Sequence, residues 1–234
     1  MSVASVDVQT RYLIESPAGV EHAGPLFPSV FPPRTTWYTE YGKRIVDVVL
    51  AGISLIVLLP LLVALALMVR VNLGPGGVIY RQKRVGRDGR PFDIYKFRSM
   101  LPDRRRQSQP FVGRDRRKTH KCDNDPRHTP FGRFIRASSL DELPQLLNVL
   151  KGDMSLVGPR PELVDVASRT GLTAHPRHKG RPGITGMFQV SPFRSTNRIT
   201  AGLHLDIAYV ADVRFTRDLV IIVKTIGVLL GRRP

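Results

Sequence analysis

Two adjacent carboxylates, Asp141 and Glu142, stand in the run of residues 125–161 with arginines on both sides in sequence. Leu143, Leu146, Leu147 and Leu150 follow at i, i+3, i+4 and i+7, which predicts a helix with one apolar face ending at Gly152. Ser139 with Glu142 reads as a capping box, whereas Pro144, unable to donate a backbone hydrogen bond, moves the first turn toward Asp141. Either start puts both acids in the first turn, where the helix dipole and free N–H groups favour the ionised form. Two acids in a first turn are also ordinary helix electrostatics. The next segment, Gly158-Pro159-Arg160-Pro161, favours chemistry. Prolines on both sides restrict the backbone, so the Arg160 guanidinium is held at small entropic cost for an anion such as a phosphate.

The elements that must position these groups are legible upstream. Residues 78–98 read as a β-hairpin, with Val78, Ile79 and Tyr80 leading in, Asp88-Gly89 at the turn, and Phe92, Ile94 and Tyr95 on the return. Residues 81–118 hold 14 Lys or Arg against 4 Asp or Glu. A charge run of that kind is usually a solvated face. Because this one follows an apolar segment, an anionic headgroup surface is its natural neighbour, and Lys96 and Arg98 can reach a substrate phosphate. Residues 101–124 read as a mobile polar loop.

The apolar segment is residues 45–69, without a charge between Asp47 and Arg70. Its run of about 22 residues is long enough to span a bilayer, but Pro60 divides it into pieces too short to cross about 30 Å of hydrocarbon. Lys43 and Arg44 precede it and Arg70, Arg81, Lys83 and Arg84 follow, so the positive-inside rule puts both ends on the cytoplasmic side. A re-entrant helix bent at Pro60 satisfies both facts; a tilted, kinked transmembrane helix is the alternative. The carbonyl freed near Ile56 then needs a partner, such as Ser54 or water.

Downstream, residues 162–169 read as a helix. A His- and Arg-rich stretch then leads into Arg181-Pro182-Gly183-Ile184-Thr185-Gly186, where glycine lets backbone N–H groups approach a ligand and Arg181 adds charge for a diphosphate. Residues 203–213 read as a helix bearing Asp206 and Tyr209. Residues 218–230 suit an interfacial helix lying against a membrane, with burial against the domain as the competing account.

The fold class is α+β and mostly helical. Residues 1–40 form a disordered or loosely docked tail with no signal-peptide pattern, residues 41–72 a membrane helix, and residues 73–234 a cytoplasmic catalytic domain with an interfacial C-terminal helix. The net charge of +17 requires an anionic partner. The single cysteine, Cys122, excludes an internal disulfide and, even with His120 and His128 nearby, has no zinc spacing. A membrane-tethered nucleic-acid binder is an alternative reading of the basic stretch, but it needs base-stacking aromatics among the cations, and residues 101–124 hold only Phe111. A membrane-tethered scaffold accounts for the apolar segments but not for the order of acids, prolines and arginines. A homodimer is compatible with the chain.

Residues 125–161, with "YGKRIVDVVLAGISLIVLLP", "YRQKRVGRDGRPFDIYKFRSM" and "RPGITGMFQV" in that order along residues 41–230, resemble the bacterial sugar transferase family of monotopic phosphoglycosyl transferases. The resemblance implies an enzyme at the cytoplasmic face of the bacterial inner membrane. It would transfer a sugar 1-phosphate from a UDP-sugar to polyprenyl (undecaprenyl) phosphate, releasing UMP, as the first membrane step of exopolysaccharide or glycoconjugate synthesis. It implies Asp141 as nucleophile through an aspartyl-phosphosugar, Glu142 as the ligand of Mg2+, and phosphate binding by Arg136, Pro159, Arg160, Lys96, Arg98, Arg181 and Gly183. The chain departs from the family at Leu59-Pro60, where a serine usually precedes the proline, at Met187, where tryptophan is usual, and at residues 191–197, where "SPFRSTN" replaces Asn-Gly-Arg. These departures leave the bend angle and the sugar open.

Overall fold

The structure, a computed structural model, describes residues 35–101, 127–192 and 202–231. Most of the tail, all but the first residue of the polar loop at 101–124 and most of "SPFRSTN" lie outside the described residues.

The apolar run forms two helices. A π-helical turn at Tyr38–Gly42, beginning within the stretch assigned to the tail, leads into α1 (Lys43–Val57), and α2 (Leu59–Asn72) departs from it at 64°. Pro60, in the first turn of α2, has no N–H for the Ile56 carbonyl. The Leu58 N–H turns back to the carbonyls of Ser54 and Ile56, so the break leaves Ile56 with a partner. Among the described residues no single helix is long and apolar enough to cross a membrane, though this bent pair qualifies by length and composition.

α1 keeps its polar groups toward the domain. Arg44 donates to the carbonyls of Val149 and Leu150 at 2.6 and 2.8 Å, and Asp47 accepts from the Leu156 N–H at 3.0 Å. Ile45, Val49, Ile53 and Ile56 on the same helix are at least half exposed.

Strands β1 (Ile79–Val85) and β2 (Pro91–Phe97) form the expected antiparallel hairpin, with Ile79 opposite Phe97 and Val85 opposite Pro91. The turn works because Asp88 takes φ 55°, a left-handed conformation that aspartate tolerates, beside Gly89 at φ 77°. Then come α3 (Pro130–Ala137), α4 (Gln145–Lys151), β3 (Ser155–Val157), α5 (Val164–Arg169), β4 (Gly183–Thr185), α6 (Leu203–Ala211) and α7 (Phe215–Leu229). Helix α5 starts two residues later than expected because the Glu162 carbonyl is taken by the Val85 N–H at 2.9 Å.

Two cores flank the hairpin. Ala51, Ile94, Leu146, Val149 and Met154 pack α1, β2 and α4 together; Leu65, Val69, Leu73, Phe97 and Ile135 pack α2, β2 and α3. A separate knot joins the two ends of the described chain. Buried Asp218 of α7 accepts from Tyr38 Oη at 2.7 Å, Lys43 Nζ at 2.6 Å and Tyr209 Oη at 2.7 Å.

The second sheet was not anticipated. β3 and β4 are parallel, with Ser155 opposite Gly183 and Val157 opposite Thr185. The glycine-rich run read as an open ligand loop is therefore partly a strand, and its glycines serve close backbone packing. A Cβ on Gly183 would collide with the backbone of Gly158, and one on Gly186 with the Gly158 carbonyl.

Candidate active site

The acid pair does not open the helix. Leu140–Glu142 is a single 3₁₀ turn, and α4 begins after Pro144. Ser139 sits in the left-handed region at φ 59° and its side chain caps nothing, so the expected capping box is absent. The proline rule acted, but by separating turn from helix. Gly152 ends α4 in the left-handed conformation as expected. The leucine face is also revised: Leu146 is buried, Leu147 is 45% exposed, and Asn148 and Val149 turn inward.

Leu140 and Leu143, which bracket the acids, pack against the α2 core. Asp141 is thereby carried to only 8% exposure. Glu142 turns the other way, and its Oε1 accepts from Lys96 Nζ of β2 at 2.6 Å. The two carboxylates are thus set apart electrostatically. Burial pushes Asp141 up to about 6, against the pull of Lys96, with Glu142 adding repulsion. For Glu142, burial is overcome by the hydrogen-bonded Lys96 ammonium and by Arg160 and Arg84, which hold it below the usual range. Both acids are still mostly ionised at pH 7, as expected, but for Asp141 the 3₁₀ turn in an apolar setting desolvates the anion where a helix terminus was expected to stabilise it.

Beside Glu142 lies a cleft whose walls come from five segments. Arg84 ends β1, Lys96 ends β2, Gln145 opens α4, Arg160 and Pro161 form the turn after β3, and Gly183, Ile184 and Gln189 belong to β4 and its exit. The Arg160 turn is fastened from behind by Arg177, 2% exposed, which donates to the Arg160 carbonyl at 2.7 Å and pairs with Asp206 at 2.6 Å and Glu162 at 3.3 Å. Another hollow, at Thr36, Tyr38, Val213, Arg214 and Phe215, has no carboxylate among its lining residues.

The structure thus brings Glu142, Lys96, Arg160 and Gly183 to one cleft, with Asp141 adjoining it under the leucines. Arg136 lies on the exposed end of α3, 3.4 Å from His128 Nε2, where its charge still acts on Asp141. Pro159 is buried behind the cleft, and its carbonyl accepts from the Gly183 N–H at 2.9 Å. Arg98 and Arg181 are not brought in. Arg98 donates to the carbonyls of Gly74 and Pro75 at 2.7 and 2.9 Å, tying down the turn after α2. Arg181 Nε donates to the Gly152 carbonyl at 3.1 Å, at the end of α4. Sequence reasoning missed Arg84, Gln145, Gln189 and Arg177. Strand alternation carried a signal for Arg84, which lies two residues after Gln82, both half-buried, while Arg81 and Lys83 are exposed.

Among the described residues no group of three or more His, Cys, Asp and Glu could hold a metal. Lys96 takes Glu142 Oε1, so the other Glu142 oxygen is the carboxylate atom that fits a cation taking few protein ligands, as Mg2+ does when phosphate oxygens complete its shell.

The family model described as bacterial sugar transferase matches residues 38–232. The undecaprenyl-phosphate galactose phosphotransferase of Salmonella typhimurium is 41% identical over 200 residues, covering 83% of this chain and 41% of that protein. The UDP-glucose:undecaprenyl-phosphate glucose-1-phosphate transferase of Caulobacter vibrioides is 40% identical over 198 residues, covering 82% and 70% respectively. The exopolysaccharide production protein ExoY of Sinorhizobium fredii is 38% identical over 198 residues, covering 82% and 87%. The chain spans about two fifths of the length of the Salmonella relative and of several others.

Proposed function

This chain belongs to the bacterial sugar transferase family, and from that premise we propose that it transfers a sugar 1-phosphate from a UDP-sugar to undecaprenyl or a similar polyprenyl phosphate. The activity for which the Caulobacter relative is named supports that substrate pair, and the name of the Salmonella relative supports the undecaprenyl phosphate acceptor. The observation that carries the reading is the divided acid pair, a desolvated Asp141 next to a Glu142 held by Lys96.

In the first step an Asp141 carboxylate oxygen bonds to the phosphorus nearest the sugar, and the bond from that phosphorus to the bridging oxygen breaks. UMP leaves with that oxygen and its electron pair. In the second step an oxygen of polyprenyl phosphate attacks the same phosphorus, the Asp141–phosphorus bond breaks, and the carboxylate is regenerated. Carboxylates act as nucleophiles in this way. Burial leaves Asp141 basic for a carboxylate, yet at pH 7 about nine tenths ionised. Arg160 and Lys96 oppose the charge that gathers on the transferring phosphate. Glu142, with Asp141 beside it, would hold Mg2+, which supplies charge neutralisation on the diphosphate.

The lipid acceptor needs an interfacial site. The half-exposed apolar side chains of α1 and α2, and Leu219, Val220, Val223 and Ile226 of α7, support seating in one leaflet, with α1 and α2 re-entering on the cytoplasmic side. Leu140 and Leu143 keep the acid turn on the α2 core, at the base of that surface. Purified chain with Mg2+, UDP-glucose or UDP-galactose and undecaprenyl phosphate should release UMP, and radiolabelled sugar phosphate should be trapped on Asp141 when the acceptor is withheld. UMP release without any such adduct would remove the covalent step; no release with any UDP-sugar would remove the reading.

A further inference from the structure

Buried polar atoms in folded proteins are almost always hydrogen-bonded, so one that finds no partner among the described residues calls for a partner such as water, an ion or, where it belongs to a residue lining a cleft, a ligand. Among the described residues two such side-chain atoms belong to residues lining the cleft, Arg84 Nε and Gln189 Oε1. One is a donor carrying positive charge and the other is an acceptor. We propose that Arg84 and Gln189 form a two-point substrate contact, in which Arg84 Nε donates to a diphosphate oxygen of the nucleotide sugar and Gln189 Oε1 accepts from one of its hydroxyls. This deepens the proposed function and rests on it.

Geometry holds Arg84 for this task. Its Nη1 donates to the Pro161 carbonyl at 3.1 Å and its Nη2 to Gln82 Oε1 at 2.7 Å. The strand continues into a backbone bridge between Arg84 and Leu163. The guanidinium is therefore gripped at its far end and its Nε edge is the part left for a ligand. Arg160 shares the cleft, and burial and then that second cation both work against Arg84's charge. A diphosphate between them reverses the repulsion, because each guanidinium then faces an anion.

Gln189 stands on the turn that leaves β4, where the Val190 N–H donates to the Gly186 carbonyl at 3.2 Å. Among the described residues its Oε1 has no hydrogen-bond partner to lose when it is replaced. A hydroxyl is the matching ligand group, and a nucleotide sugar offers two kinds, on the ribose and on the sugar.

The test uses the full chain in detergent with Asp141→Asn and no acceptor, so that nothing turns over, and titrates UDP, UMP and UDP-glucose by calorimetry. Arg84→Met should weaken UDP and UDP-glucose by about 10- to 100-fold, and UMP less, as loss of a charged hydrogen bond to the diphosphate requires. Arg84→Lys, which keeps the cation but not the Nε edge, should recover only part of this. Gln189→Leu should weaken UDP-glucose by about 3- to 10-fold with an unchanged melting temperature. A loss for UDP-glucose alone assigns the hydroxyl to the sugar; an equal loss for UDP assigns the contact to the uridine, and repeating the titration with 3-methyluridine diphosphate separates its ribose hydroxyls from the uracil N3–H. If the parent binds and both the Gln189→Leu and Arg84→Lys proteins bind UDP-glucose as tightly, the contact is overturned and the proposed function stands. If the parent binds neither UDP nor UDP-glucose, both fall together.

Discussion

Replacing Asp141 by asparagine should abolish turnover and at the same time make the protein harder to unfold. The carboxyl stands at about 6 in the folded chain against an ordinary 3.8. Between those values the folded state holds the proton that the unfolded state has released, so stability falls as pH rises through the window. Above it the folded state carries the whole deficit, roughly 3 kcal/mol for a displacement of this size. Because Asp141 is only 8% exposed, solvent screening does not erase the figure. A neutral isostere escapes the deficit. At pH 7 the Asp141→Asn protein should therefore melt about 6 to 12 °C higher, given about 2 to 4 °C per kcal/mol for a chain of this size. The gain should shrink to under about 1 kcal/mol at pH 4, where the parent carboxyl is protonated. Scanning fluorimetry in detergent at pH 4, 5, 6 and 7, run beside the UMP assay, measures both effects. A melting temperature that is unchanged, or a gain that does not fade with acid, refutes the burial argument; a stabilised protein that still turns over refutes the nucleophile. The parent's rate should also fall on the acid side with a midpoint near pH 6, as the nucleophile is protonated.

Glu142→Gln should do the opposite to stability, since the Lys96 pairing depresses its carboxyl and contributes stability that is present at pH 7 and lost as acid protonates the group. A melting temperature lower by the equivalent of about 2 kcal/mol is expected, and EDTA should stop turnover in the parent. Gly183→Ala forces backbone apart at the β3–β4 contact and should cost about 1 to 3 kcal/mol while lowering turnover through the Arg160 turn; a variant with parental melting and rate would contradict that packing. A cysteine probe at Ser29, in a Cys122→Ser background, should resist an impermeant thiol reagent in intact cells and become labelled from outside when Pro60→Leu straightens the apolar run. Labelling with Pro60 in place would overturn the re-entrant arrangement.

Local rules carried much of the fold. Asp88-Gly89 located the hairpin, Pro60 the bend and Gly152 the end of α4, because each is decided within a few residues. What was not legible depended on distant partners. Three-residue strands such as β3 and β4 leave no alternation to read, so their pairing appears only when Gly158 and Gly183 are seen in contact. The capping box failed because Ser139 adopts a left-handed turn that brings Leu140 and Leu143 onto α2. Charge and proline placement pointed to Glu142, Lys96 and Arg160, which the structure brings to one cleft, and to Asp141 in the turn beside it. They could not separate Arg98 and Arg181, bound to carbonyls elsewhere, from Arg84, whose neighbours in sequence are equally basic.

The Asp218 knot has a consequence for how the chain is made. Tyr38 and Lys43 precede their carboxylate partner by 180 and 175 residues. At about 5 to 20 residues per second, the first apolar helix waits roughly 10 to 35 seconds after its own synthesis before Asp218 exists. Throughout that interval the Lys43 ammonium has water or lipid headgroups, but not its buried carboxylate, for company. The last described helix to be made thus locks the first, and α1 acquires its final orientation on the domain only after every other described element exists.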